Sequence, residues 1–100
     1  MGNARPRPKR LAEKLLFIRQ KLDGGLSQNE MILRLGLEEE LERERISKYE
    51  RDVLEPPWNV LCAYADAANV WLEVLVKDEL DLPETLPSKT KSEGIRNKQV

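Results

Sequence analysis

A chain of 100 residues with 40% hydrophobic content supports one small domain, and 17 basic against 18 acidic side chains give a net charge of -1 that does not by itself announce a polyanion as partner. No apolar run approaches the roughly 20 residues needed to span a bilayer, and the basic N-terminus lacks the apolar stretch of a signal peptide, so a soluble, cytoplasmic protein without a membrane partner is expected. With no histidine, one cysteine and no glycine-rich phosphate loop, the usual metal, nucleophile and nucleotide constellations cannot be assembled, and no metal, no cofactor and no enzyme activity are expected.

Residues 1–8 carry two prolines and no apolar periodicity, and read as a flexible basic arm. From Lys9 to about Leu22, Leu11, Leu15, Ile18 and Leu22 recur at helical spacing, which predicts the first helix. Asp23-Gly24-Gly25 breaks it. Ser27 is placed to cap a second helix over about Gln28 to Leu35, with Met31, Ile32 and Leu35 on one face, Leu26 as a staple and Gly36 as the left-handed terminator.

Strong helix formers fill the next stretch, acidic at its start and basic later, and predict a third helix from about Glu39 to Arg51. Ile46 and Tyr49 face the core from it, which leaves Arg43, Arg45, Ser47, Lys48 and Arg51 largely free. Pairs at helical spacing, Glu39 with Arg43 and Glu42 with Arg45, offer a purely structural account of that charge run. Pro56-Pro57 precede a fourth helix from about Trp58 to Ala68, closed by Asn69 in a left-handed cap, and a fifth short helix is expected from about Trp71 to Val76. Cys62, between Leu61 and Ala63, reads as a small core residue. After Pro83 no periodicity is sustained, and residues 83–100 read as a disordered tail.

The division is thus an arm over 1–8, a helical domain over 9–82 and a tail over 83–100. Charge is unevenly distributed along it. Arg5, Arg7, Lys9, Arg10, Lys14, Arg19 and Lys21 crowd the beginning, whereas Asp66, Glu73, Asp78, Glu79, Asp81 and Glu84 gather after the middle, which predicts an electrically polarised molecule.

The run Leu26-Ser27-Gln28 to Leu35-Gly36-Leu37, then Ile46-Ser47-Lys48-Tyr49-Glu50-Arg51 and Glu55-Pro56-Pro57, resembles the Cro/phage-repressor type of bacterial helix-turn-helix regulator, the xenobiotic-response-element family. The likeness covers about Lys9 to Leu82. It implies an all-α, five-helix, lambda-repressor-like DNA-binding domain whose third helix reads the major groove. The chain departs from the family at Ile32, where a small residue is usual, and at Asp52, where glycine is common. The interval from Gly36 to Ile46 is also longer than the family's, so the extra residues within Glu38 to Glu44 either lengthen the turn or extend the reading helix.

Carried over by position, the resemblance puts Gln28 and Asn29 at a phosphate, and Arg43, Glu44, Ser47 and Lys48 in the groove with Arg45 at its margin. Arg51 suits a phosphate, as do Arg5, Arg7 and Arg10 in an arm entering a neighbouring groove. The implied function is a transcriptional regulator, a repressor acting by operator occupancy on double-stranded DNA. A homodimer through the fifth helix is expected, because Leu72, Val74, Leu75, Val76 and Leu80 offer more apolar surface than one small core needs. The competing expectation on the same fold is an antitoxin or protein-interaction adaptor, with a toxin or RNA polymerase as partner, motivated by glutamates where DNA phosphates would lie.

Overall fold

The computed structural model describes residues 7–91 and the backbone of 96–97. Five α-helices follow one another: α1 (Leu11–Lys21), α2 (Gln28–Leu35), α3 (Arg43–Glu50), α4 (Trp58–Ala68) and α5 (Leu72–Val76). Two two-residue strands, β1 (Leu80–Asp81) and β2 (Arg96–Asn97), pair antiparallel with Leu80 opposite Asn97. The expected all-helical class therefore holds for the body of the chain. Within the described residues no helix is long and apolar enough to cross a membrane.

Helix α1 starts where the chain meets a distant acid. The backbone N–H groups of Lys9 and Arg10 donate to the two carboxylate oxygens of Asp78, each at 2.9 Å, so a residue after α5 satisfies donors at the start of the first helix. Both amide bonds hold the Asp78 carboxyl below its ordinary range. Leu11, Leu15 and Ile18 line the buried side of α1. After it a 3-10 turn, Leu22–Gly24, carries Asp23 at a positive φ of 53°.

Lys14 lies on the same buried face as Leu11, Leu15 and Ile18, and is 2% exposed. Its ammonium donates to the carbonyls of Val74 at 2.7 Å and Lys77 at 2.9 Å, closing the C-terminal end of α5 onto α1. Burial pushes that amine down to about 8, with the neighbouring Arg10 charge acting in the same direction.

Ser27 caps helix α2 as expected, and Glu30 completes a capping box. Ser27 Oγ accepts from the N–H of Glu30 at 3.0 Å, while Glu30 Oε1 accepts from the N–H of Ser27 at 2.8 Å. Gly36, at φ 73°, ends the helix.

The third helix is shorter than expected and begins at Arg43. Residues 38–40 form a turn instead, with Leu41 N–H bonded to Leu37 carbonyl at 2.9 Å. Leu41 is buried and Leu37 packs against the core, one helical turn apart, and Glu42 in extended backbone at φ -118° separates this turn from α3. Residues 37–42 thus connect α2 to α3 without extending α3. Asp52 adopts the left-handed conformation at φ 62°, and Asn69 does so after α4 at φ 57°.

The core joins the inner faces of all five helices, with Tyr49, Tyr64, Leu15, Ile18, Leu22, Met31 and Ile46 fully buried. Cys62 is partly buried. Val74 and Leu75 also lie wholly inside the protomer, and Leu72, Val76 and Leu80 pack against the core at its edge. Val74 and Leu75, counted in the apolar surplus expected on the fifth helix, are thus taken up by the protomer core, while Leu72, Val76 and Leu80 stay partly exposed at its edge.

Residues 83–91 correct the expected disordered tail. Pro83, Leu86 and Ser88 are buried, the N–H of Ser88 donates to the Ala68 carbonyl at 2.9 Å, and Asn69 Nδ2 donates to the Ser88 carbonyl at 2.7 Å. The segment supplies partners to the C-terminal end of α4, which a periodicity search does not register. Lys91 stands 4.9 Å from the centre of the Trp71 ring. The rest of the expected tail, apart from the β2 backbone, lies outside the described residues.

Candidate nucleic-acid interface

Helices α2 and α3 pack against each other, and both contact further helices of the core. Ile46 and Tyr49 anchor α3, so its opposite side is free: Arg43, Glu44, Arg45 and Arg51 are exposed, and Ser47 and Lys48 are half-buried. Two shallow depressions flank that side. One, of about 300 Å³, is lined by Glu40, Glu42, Glu44, Arg45 and Lys48. The other, of about 450 Å³, is lined by Gln28, Glu42, Arg43, Glu44 and Ser47. Glu42 and Glu44 line both, so they stand on the ridge between the Arg43 and Ser47 flank and the Arg45 and Lys48 flank.

The fold therefore brings together Gln28, Arg43, Glu44, Arg45, Ser47 and Lys48, as the sequence predicted. Asn29 is exposed and lines a third, adjoining groove with Arg43. Arg51 donates from Nε to Ser47 Oγ at 3.2 Å, a side-chain link that leaves the rest of its guanidinium exposed.

Gln28 is held more firmly than its sequence position suggested. Its Nε2 donates to Glu50 Oε1 at 3.2 Å, and Glu50 also accepts from Arg19 Nε and Nη2 at 2.6 and 2.9 Å. That hydrogen bonding to Glu50 raises the Arg19 guanidinium further above its ordinary value. Arg19 Nη1 meanwhile donates to the Leu26 carbonyl at 2.9 Å. Through Arg19 and Glu50, α1 fixes the N-terminal end of α2 against the C-terminal end of α3. The Ser27 cap takes the Glu30 N–H, which leaves the N–H groups of Gln28 and Asn29 in the first turn directed away from the helix ladder.

Among the described residues, Arg43, Arg45 and Lys48 form no ion pair within the protomer. The expected Glu39–Arg43 and Glu42–Arg45 pairs are absent because residues 38–40 turn away from the helix and Glu42, at φ -118°, sits in extended backbone before it. The cations of α3 thus remain available. So do the acids: Glu38, Glu39, Glu40, Glu42 and Glu44 are all exposed beside them.

The expected arm divides three ways. Arg5 lies outside the described residues. Arg7 is tethered beside the end of α3, with Nη2 2.8 Å from Asp52 Oδ1 and Nε 3.9 Å from Glu55 Oε1. Arg10 does not belong to an arm at all. Its guanidinium lies 3.0 Å from Glu13 and 2.8 Å from Asp81 and donates to the Asp78 carbonyl at 2.6 Å, which commits it to the joint between α1 and β1. The hydrogen bonds to Glu13 and Asp81 raise its pKa. The charge polarity expected from the sequence is partly cancelled at this joint.

Sequence reasoning missed Leu33, which is 64% exposed on α2 beside the ridge. Its signal was available, since an apolar residue between the buried Ile32 and the polar Arg34 falls off the Met31, Ile32 and Leu35 stripe. Comparison of the chain with protein-family models, curated proteins and solved structures finds no significant match.

Proposed function

We propose that the chain is a sequence-specific regulator of transcription that binds double-stranded DNA as a helix-turn-helix domain of the lambda-repressor type, with α3 in the major groove. The observation that carries this reading is the set of unpaired cations Arg43, Arg45 and Lys48 on the free side of a helix whose other side is anchored by Ile46 and Tyr49. Arg43 and Lys48 suit guanine O6 and N7, and Glu44 on the ridge suits cytosine N4. Gln28 and Asn29 contribute backbone amides toward a phosphate, and Arg51 a further charge. Repression by occupying an operator follows as the simplest action of such a module.

Five exposed glutamates from Glu38 to Glu44 face four cations, Arg43, Arg45, Lys48 and Arg51, on the same surface. Long-range attraction to phosphate is therefore weak, and base contacts must supply much of the affinity. Selection of bound duplexes from a random pool at two salt concentrations tests the reading. A defined consensus whose affinity falls shallowly with salt supports it, and recovery of no duplex at low salt rejects it. The acidic ridge favours a second reading, an adaptor that grips a protein, which a stable protein complex without any duplex binding would establish.

A further inference from the structure

The turn after Gly36 builds a groove at the edge of the proposed DNA-binding surface, sharing Asn29, Glu42 and Arg43 with it. Ile32 and Leu41 lie buried along it, exposed Leu33 forms a wall, and Asn29, Glu38, Glu42 and Arg43 complete a space of about 390 Å³. Leu41 belongs to the turn between α2 and α3, so the groove is built by the connection of residues 37–42. Leu33 stands exposed next to this concave strip, so an apolar side chain seated there would remove it from water.

We infer that this groove docks a cationic amphipathic segment of a partner protein, an apolar side chain entering between Leu33 and Leu41 while flanking Lys or Arg side chains meet Glu38 and Glu42. Charge decides the occupant. Glu39 and Glu40 are exposed close by in the same turn, and Arg43 is the one cation among the lining residues beside Glu38 and Glu42, so the rim favours a cationic occupant. A second copy of the chain is the competing occupant, through its exposed Val53, Leu54, Trp58 or Trp71, and a dimeric mass of the native chain that Leu33→Ser abolishes would overturn the proposal. An apolar segment with basic neighbours satisfies both floor and rim. The inference goes beyond the DNA reading and stands without it.

Selection of peptides from a random display library against the full chain tests it, followed by titration of the enriched peptides into the protein labelled for amide NMR. Enriched sequences should pair an aliphatic or aromatic residue with nearby Lys or Arg, and should perturb Ile32, Leu33 and Leu41. Leu33→Ser, at an exposed position, should weaken them about tenfold without lowering the thermal midpoint, and Glu38→Gln with Glu42→Gln should do likewise. No enrichment, enriched peptides without basic residues, or equal binding to Leu33→Ser overturns the proposal. Duplex selection on Leu33→Ser separates the two functions, since that variant should recover the duplexes bound by the native chain.

Discussion

Glu50 receives two hydrogen bonds from the Arg19 guanidinium while only 6% of its own side chain is exposed, against 18% for Arg19. Removing the acid strands a largely buried cation and releases Gln28. Glu50→Ala should therefore lower unfolding free energy by about 3 kcal/mol, read from urea denaturation. Equal stability would mean that solvent already satisfies Arg19.

On the reading surface the side chains should separate by role. Arg43→Ala or Lys48→Ala should each reduce discrimination at one base pair by about 1 to 3 kcal/mol in competition binding. Arg51→Ala should weaken all duplexes alike and reduce the salt slope. Unchanged affinity and preference in all three variants would remove α3 from the interface.

Lys14 gives stability a dependence on alkaline pH. Below the folded value of about 8 both states hold the proton, and up to the ordinary value of 10.5 the unfolded chain retains a proton that the folded chain has shed. Stability therefore rises with pH across that window, by at most about 3 kcal/mol. Tyr64 acts oppositely at higher pH, because burial raises its pKa and the unfolded phenol ionises first. Urea midpoints of the native chain and Lys14→Met, measured at about pH 7 and about pH 10, should diverge in favour of the native chain as pH rises. A constant difference would show that the Val74 and Lys77 carbonyls keep the amine charged.

Asp78 works at the acid end. Its pKa is held down by the N–H groups of Arg10 and Lys9, so its contribution is present above the unfolded value and is lost as pH falls through the folded one. Asp78→Asn should lower the thermal midpoint at neutral pH. The gap from the native chain should close under acid. A gap that persists in acid would assign the loss to geometry rather than charge.

Much of the architecture was legible because Leu11, Leu15 and Ile18, then Met31 and Ile32, then Val60, Leu61, Tyr64 and Ala65 keep helical spacing, and Ser27, Gly36 and Asn69 mark the ends. What escaped depended on distant partners. Nothing local to Arg10 reveals Asp78 and Asp81 as its counterparts, and nothing local to Glu39 reveals that Glu42 turns extended and delays the start of α3 to Arg43. Lys14 was read only as one of the N-terminal cations, although its place beside Leu11, Leu15 and Ile18 puts it on the buried face, and only the fold brings the Val74 and Lys77 carbonyls to its amine. The candidate site residues were legible because the helical spacing of Ile46 and Tyr49 leaves Arg43, Glu44, Arg45 and Lys48 on the other sides of α3. Arg10 was misassigned since a sequence cannot distinguish a cation held in a joint from one left loose.

The bond from Ser88 to the Ala68 carbonyl bears on where the chain can be cut. A fragment ending at Leu82 would retain all five helices yet strip the last turn of α4 of an acceptor's mate and open the seat of Leu86 to water. The smallest autonomous piece is consequently longer than its helices, and limited proteolysis that leaves the core folded should spare Leu86 and Ser88.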